Sequence, residues 1–186
     1  MYMVKSAILT LALAISGCGS LLNEPGKTEV GIDGIACTGY VVSAVPGLIE
    51  ATNPALVEHA RLPKDKGGVC YAKVFSVVAP VTLYRVFDAS NPKSKFGGWW
   101  SLKPPSGTKE DYRSANAICR EWSALDRVVS CEIRPGTQVV IGTTQSAQCE
   151  DGSKYPQTSF NQVFVPNDGR VGIIHIGACS DEAPWP

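Results

Sequence analysis

Four short stretches of the chain carry residues whose types and spacing could do chemistry. In the first, TLYRVFD, alternation along a strand puts Arg85 on one side together with Leu83 and Phe87. An unpaired charge between apolar neighbours is costly. Arg85 therefore either pairs with an acid at an edge strand, or it lies at the rim of a cleft and holds a phosphate or carboxylate through its planar guanidinium.

The second stretch, FGGWWSLKPP, places two adjacent tryptophans on opposite faces of a strand after a glycine pair, with Ser101 following. One interpretation makes one indole part of the core and the other a partly exposed lid. The other has one of the two indoles stack on a flat ligand ring while Ser101 hydrogen-bonds to it. The residues alone favour neither.

The third stretch, EDYRSANAICREW, has the spacing of an amphipathic helix. Tyr112, Ala115, Ile118 and Trp122 form one apolar face, and Arg113 lies one position away from it. Arg113 is therefore either a solvated charge or a side chain that reaches a cleft beside this face.

The fourth stretch, SFNQVFVP, is a short strand that begins with two amides. Gln162 shares a side with Phe164, whereas Val163 faces the other way. A polar residue at the start of a strand is common, so Gln162 is either the end of a strand or a group that faces a ligand. For Asn161 we keep the first interpretation.

The elements that must position these residues are mostly strands. β-rich runs with period-two alternation dominate from residue 70 onward, and only two segments have helical signals, one capped by Asn53 before Pro54 and one by Ser106 or Thr108. The segment CEIRPGTQVVIG has the pattern of a hairpin or a corner. These signals predict an α+β fold with a mostly antiparallel sheet core and few helices.

Cysteine usage predicts a disulfide-stapled domain. Six cysteines follow Cys18, and an even number in an exported chain indicates three disulfides, with Cys119–Cys131 the pairing we favour. The six are Cys37, Cys70, Cys119, Cys131, Cys149 and Cys179. No CxxC motif occurs and the chain has two histidines, so we expect no metal site.

The N-terminus predicts export and lipidation. Residues 1–17 combine Lys5, a short apolar run and small residues, which is typical of a signal peptide, and ISGC resembles the lipobox of bacterial lipoproteins. Cys18 is then the predicted lipidated residue, carrying an acyl (palmitate) anchor, and residues 18–36 are a tether from the membrane. By resemblance, Gly19 implies sorting to the outer membrane in a Gram-negative host.

Charge excludes one class of partner. The full chain has 17 Lys plus Arg and 17 Asp plus Glu, and loss of Lys5 with the signal peptide leaves a net charge near −1. This balance gives no electrostatic basis for binding nucleic acid.

Taken in order, the motifs LYRVFD, GGWWSLKPP, DYRSA, VVSCEIRPGTQVVIG and NQVFVP resemble the ADP-ribosyltransferase-like toxin domains of bacterial polymorphic toxin systems. They are most similar to the tuberculosis necrotizing toxin class of NAD glycohydrolases. The resemblance covers residues 80–166. It implies an ADP-ribosyltransferase-like fold and NAD as substrate, without a further cofactor.

The resemblance also implies roles for single residues. Arg85 would hold the phosphates or ribose of NAD, and Arg113 would contact phosphate. Trp100 and Ser101 would pack on the nicotinamide end, and Gln162 would lie at the nicotinamide ribose. Many transferases of the group have Glu at this last position, so Gln favours hydrolysis over transfer to a protein.

These observations predict a cell-envelope, lipid-anchored toxin that cleaves NAD, is delivered to other cells and has an immunity protein as partner. One alternative is a non-enzymatic lipoprotein that acts as a binding or scaffold module. Another is an immunity or inhibitor lipoprotein, which would show an exposed apolar or acidic patch. The predicted organisation adds an N-terminal subdomain or extension at 37–79, a toxin-like domain at 80–180 and a tail at 181–186.

Overall fold

The chain folds into an antiparallel sheet that carries two α-helices, and the computed structural model describes residues 29–185. The sheet has nine strands in the order β1-β2-β6-β9-β4-β3-β5-β10, with β11 also paired to β5, while β7 and β8 form a separate pair. The helices are α1 (Pro54–Arg61) and α2 (Lys109–Asn116). The strands are β1 (Leu48–Ala51), β2 (Val69–Val77), β3 (Val81–Phe87), β4 (Trp99–Ser101), β5 (Arg127–Ile133), β6 (Gln138–Thr144), β7 (Ala147–Gln148), β8 (Lys154–Tyr155), β9 (Thr158–Phe164), β10 (Ile176–Cys179) and β11 (Ala183–Pro184).

Two short connections force the sheet to curl. β2 and β3 are four positions apart in the sheet, yet only residues 78–80 join them. Four positions on a flat sheet span about 19 Å, whereas this connection reaches about 14 Å at most. β5 and β6 are also four positions apart, and only residues 134–137 join them. Since these two strands are not neighbours in the sheet, CEIRPGTQVVIG is a corner rather than a hairpin. The predicted α+β fold with a mostly antiparallel sheet is confirmed.

The curled sheet encloses the main core. The inner sides of the strands bring together a buried cluster that includes Phe75, Leu83, Trp100, Val129 and Ile141. Each is at most 2 % exposed. The opposite side of β2, β6 and β9 packs against α1, and Tyr112 of α2 packs against Val86 of β3.

Local signals account for where the helices begin. Asn53 caps α1 by accepting from the backbone N–H of Leu56, and Thr108 caps α2 in a reciprocal capping box with Asp111. The prediction of one helix through Trp122 is wrong, because α2 ends at Asn116 and Ala117 has a φ of 50°. A short 3₁₀ turn, Arg120–Trp122, follows, and Trp122 is 38 % exposed.

All six cysteines in the described range pair, as predicted, but not in the favoured pattern. The disulfides are Cys37–Cys70, Cys119–Cys149 and Cys131–Cys179. The predicted Cys119–Cys131 bridge is wrong because Cys131 lies within β5, opposite Cys179 of β10 in the strand register. Cys119 instead follows α2 and belongs to a different buried cluster, together with Cys149.

The predicted signal peptide and the lipidation site Cys18 lie outside the described residues. Residues 29–36, the end of the predicted tether, contact the domain, since Asp33 accepts hydrogen bonds from Ser146 Oγ at 2.7 Å and Gln157 Nε2 at 3.0 Å. Residues 37–45 form no strand, and the N–H of Val42 donates to Asn161 Oδ1. Residues 37–79 contribute β1 and β2 to the common sheet.

No helix within residues 29–185 is long and apolar enough to cross a membrane.

Candidate functional site

A cavity of about 210 Å³ lies where β3, β4 and β9 meet α2 and the loop before β2. We call it the first cavity. Its walls combine aromatic and aliphatic side chains with a few polar groups. The lining residues are Leu62, Lys66, Gly67, Gly68, Arg85, Val86, Trp99, Trp100, Tyr112, Asn116, Ala117, Ile118, Trp122, Ser123, Leu125 and Gln162. Three of the five predicted substrate-site residues, Arg85, Trp100 and Gln162, are therefore brought together.

Arg85 is held by backbone carbonyls, with no carboxylate in hydrogen-bond contact among the described residues. Its Nε donates to Ser94 O at 2.6 Å, Nη1 donates to Trp99 O, and the guanidinium lies 5.9 Å from the Trp100 ring centroid. Its second terminal nitrogen, Nη2, has no acceptor within residues 29–185. Burial lowers the pKa of Arg85 to about 10, with the nearby Tyr112 phenol opposing the shift. The group stays charged at neutral pH and keeps N–H donors for an anion.

Gln162 pairs with Ser101 and Ser101 pairs with Tyr84, so Gln162 lies two strands from β3, about 10 Å across the sheet. The side chains of Gln162 and Arg85 leave the sheet on opposite faces, and both reach the first cavity where β3 and β4 pair at one position only.

Gln162 is 5 % exposed, and its Nε2 is near Thr144 Oγ1 at 3.0 Å, Asn116 O at 3.2 Å and Gly68 O at 3.5 Å. The carbonyl oxygens of Asn116 and Gly68 can only accept hydrogen bonds, so the end of the Gln162 amide that lies near them must be the nitrogen. The carbonyl oxygen Oε1 receives no hydrogen bond from the described residues, so it remains an acceptor for a ligand.

Trp100 and Ser101 differ in their access to the cavity. Trp100 is 2 % exposed, belongs to the main core and donates from Nε1 to Gly97 O at 2.8 Å. Ser101 is not among the lining residues; its Oγ lies 3.5 Å from the Tyr112 hydroxyl, which does line the cavity. Burial raises the pKa of Tyr112, which keeps the phenol neutral. Ser101 therefore supports the wall through Tyr112.

Arg113 is not among the residues that line the cavity. Its Nη1 donates to Cys119 O at 3.1 Å and Ile118 O at 3.4 Å, and its Nη2 donates to Ser123 O at 2.6 Å. Both terminal nitrogens are thus engaged with the loop that follows α2. In this structure Arg113 fixes the position of a cavity wall.

Lys66 is a cavity residue that the sequence patterns did not single out. With Arg85 it gives the lining two cations, and the described lining residues include no Asp, Glu or His. Lys66 precedes Gly67 and Gly68, whose φ angles of 72° and 85° suit glycine. The glycine pair in PKDKGG was the available signal that a backbone approaches closely here. The cavity is suited to an anionic ligand with an apolar ring.

No protein-family model matches the chain, and no curated protein matches it at a significant level. Among solved structures, a structure of Tne2 in complex with Tni2 is similar, with a TM-score of 0.46 and 14% sequence identity. The similarity covers 66% of this chain and 96% of that chain. Likeness at this level does not establish a shared activity.

Proposed function

We propose that this protein binds NAD with its nicotinamide end in the first cavity and cleaves the bond between nicotinamide and ribose. Hydrolysis is favoured, with ADP-ribosyl transfer to a protein second. The observation that carries the proposal is that Arg85, Trp100 and Gln162, selected from three separate sequence motifs, line one cavity. A toxin-like role, with an immunity protein as partner, belongs to the same proposal.

The chemistry required is separation of a ribosyl cation from a neutral leaving group. The bond from ribose C1′ to nicotinamide N1 breaks and its electron pair stays on nicotinamide. Water then attacks C1′ and loses a proton to solvent, giving ADP-ribose. The transition state resembles an oxocarbenium ion, which oriented acceptor dipoles stabilise.

The site residues match these demands. Gln162 would present Oε1 toward the developing positive charge, and its Nε2 contacts hold the amide in that orientation. Arg85 and Lys66 would hold the phosphate of the nicotinamide half, and Trp100 would form the apolar wall at the nicotinamide ring. A neutral amide stabilises a cation less than a carboxylate does, and it gives no base to activate a protein nucleophile, which favours water as acceptor.

A nicotinamide release assay on the purified, oxidised chain 19–186 tests the proposal. We expect NAD cleavage that falls about a hundredfold in Gln162→Ala and in Arg85→Ala, because each removes an electrostatic contact to the transition state or substrate. Gln148→Ala and Arg134→Ala are matched controls; Gln148 is partly exposed and Arg134 is exposed, and neither lines the first cavity.

Cleavage that is unchanged in both site variants would remove this site from the reaction even if NAD were consumed. Gln162→Glu then separates the two activities. A carboxylate should raise transfer to an added protein acceptor relative to hydrolysis. If nicotinamide release needs an added protein even in the unsubstituted chain, transferase replaces glycohydrolase as the function.

A second candidate is a binding module without catalysis. The feature that favours it is the lining itself, which includes no carboxylate or histidine among the described residues that could act as acid or base. This candidate predicts NAD binding by calorimetry that depends on Arg85, with no nicotinamide released over hours.

The anchor and location remain part of the proposal. We infer that Cys18 is lipidated and holds the domain at the cell envelope, at the outer membrane in a Gram-negative host, from which it reaches other cells. Mass spectrometry of the mature chain tests this. The expected product begins at Cys18 with an acyl mass that Cys18→Ser abolishes; an unmodified N-terminus contradicts it.

A further inference from the structure

A second cavity, of about 320 Å³, adjoins the first and has chemistry of its own. Trp99 lines both cavities, and the glycine pair Gly97–Gly98 lines only the second. Both cavities are bordered by the C-terminal end of α1, the first at Leu62 and the second at His59. The two cavities are therefore neighbours on one side of the sheet.

The floor of the second cavity is aromatic. Trp99 and Phe164 have ring centroids 5.1 Å apart, and His59 packs edge-on to Phe164 at 5.0 Å. Phe96 also lines the cavity. Aromatic side chains grouped in this way favour a flat, apolar ring as ligand.

The rim of the second cavity is cationic. Lys93 is exposed and has no ion-pair partner within residues 29–185, in contrast to Lys95, which pairs with Glu182 at 2.8 Å. Arg170 also lines the cavity, but Asp168 binds it through two hydrogen bonds of 3.0 Å. Lys93 is thus the uncompensated charge at this rim.

The wall between the cavities is tightly built. A Cβ at Gly98 would lie 2.9 Å from the Phe164 ring, and one at Gly97 would lie 2.3 Å from Arg85 Nη2. Asn167 anchors the opposite loop by donating from Nδ2 to Gly97 O at 3.3 Å and accepting from His175 N at 2.8 Å. Arg85 therefore lies behind this wall, between the two cavities.

We propose that the second cavity binds the purine ring and phosphate of a nucleotide, with the ring on the Trp99–Phe164 floor and the phosphate at Lys93. Its size lies within the range of about 300–1,000 Å³ usual for small-molecule sites, whereas the first cavity is smaller than that range and holds one end of a dinucleotide. The proposed function is needed only to assign this nucleotide as the adenylate end of NAD. The binding of free nucleotide follows from the aromatic floor and the cationic rim.

Calorimetric titration of the oxidised chain 19–186 with AMP tests the site. We expect saturable binding that weakens about tenfold in Lys93→Glu, the loss typical of a charge-assisted hydrogen bond. Lys154→Glu is the matched control, since Lys154 is also exposed and lies on β8. Adenosine and ribose 5-phosphate, each lacking one half of the ligand, should both bind more weakly than AMP.

Gln162→Ala separates this proposal from the proposed function. AMP affinity should be unchanged in Gln162→Ala, whereas NAD cleavage falls. Lys93-dependent AMP binding without NAD cleavage supports the nucleotide site and overturns the glycohydrolase. NAD cleavage without AMP binding, or with equal AMP affinity in Lys93→Glu, overturns the nucleotide site and leaves the glycohydrolase standing.

Discussion

Arg85 on β3 and Arg113 on α2 are both largely withdrawn from solvent, and both donate hydrogen bonds to backbone carbonyls. They differ in whether any guanidinium N–H donors are left without an acceptor. Both terminal nitrogens of Arg113 donate to backbone carbonyls, those of Ile118, Cys119 and Ser123. In Arg85, Nε donates to Ser94 O and Nη1 donates to Trp99 O, while Nη2 has no acceptor within residues 29–185. Arg113 holds the loop after α2 in place, and Arg85 lines a cavity.

The comparison shows that burial alone does not identify a ligand-binding arginine. The pKa of each is lowered by burial, so both incur a desolvation cost. What distinguishes them is whether the donors are already satisfied by the protein. Substitutions that remove either arginine or its supports should therefore differ in their effects on stability and on NAD cleavage.

Replacing both Cys119 and Cys149 by alanine should give the largest effect. The disulfide closes a loop of 30 residues, and its loss should lower the free energy of unfolding by about 3–4 kcal/mol. Urea denaturation measures the change. Because the disulfide and Arg113 hold the same loop, Arg113→Ala should cost less in this background than in the native one. Equal costs in the two backgrounds would mean that the disulfide and Arg113 act independently.

Arg113→Ala should lower the free energy of unfolding by about 3 kcal/mol, since it leaves buried carbonyls after α2 without their donor. Arg85→Ala should cost about 1 kcal/mol, because removing a poorly compensated cation offsets part of the loss. Thermal and urea unfolding of both variants give the comparison. If Arg85→Ala is the more destabilising of the two, Arg85 is a structural residue and our distinction between the arginines is wrong.

Gly97→Ala tests whether the position of the Arg85 guanidinium matters, without changing Arg85 or Arg113. The added Cβ would lie 2.3 Å from Nη2, so the guanidinium must move, at a cost of about 1–2 kcal/mol. Gly97 has a φ of −68°, which alanine adopts without strain, so the effect is steric rather than conformational. Both the free energy of unfolding and the rate of NAD cleavage should be lower in Gly97→Ala than in the unsubstituted chain.

Gly177→Ala is the control for Gly97→Ala, since a Cβ there would make only ordinary contacts, 3.4 Å from Glu132 O and 3.9 Å from Arg134 Cγ, and Gly177 lines neither cavity. It should leave both stability and cleavage unchanged. A neutral Gly97→Ala would show that the position of the Arg85 guanidinium is not fixed by this wall.

Thr108→Ala should lower the free energy of unfolding by about 1 kcal/mol, through loss of the α2 N-cap. The N–H and hydroxyl of Thr108 hold the pKa of Asp111 below its usual 3.8. This part of the stability is present above about pH 3.8 and is lost as the pH falls through the lowered pKa. The difference between Thr108→Ala and the unsubstituted chain should therefore shrink in acid. A constant difference in urea midpoints from pH 6 to pH 3 would contradict the role of Asp111.

Local sequence signals anticipated some parts of the fold well. Asn53 and Thr108 cap their helices because a short polar side chain satisfies backbone donors only a few residues away. The end of α2 was not predictable in the same way. It depends on Arg113, the Cys119–Cys149 disulfide and Ala117 acting together, whereas the helical period simply continues to Trp122.

The candidate site was partly predictable for a related reason. Arg85 and Gln162 are polar residues that share a side of their strands with apolar residues, and this mismatch is visible in the sequence alone. Lys66 and Tyr112 carry no such mismatch, because an exposed lysine in a loop and a tyrosine on a helix are ordinary. Their place in the cavity wall follows from contacts between distant segments.

By itself, the sequence determined the α+β class, the fact that all six cysteines after Cys18 form disulfides, and the residues most out of place in their strands. These depend on local propensity, spacing and composition. Only the tertiary structure decided which cysteines pair, which arginine keeps a free donor and that two cavities adjoin at Trp99. Each of those outcomes depends on contacts between segments that are far apart in the sequence, which local propensity does not specify.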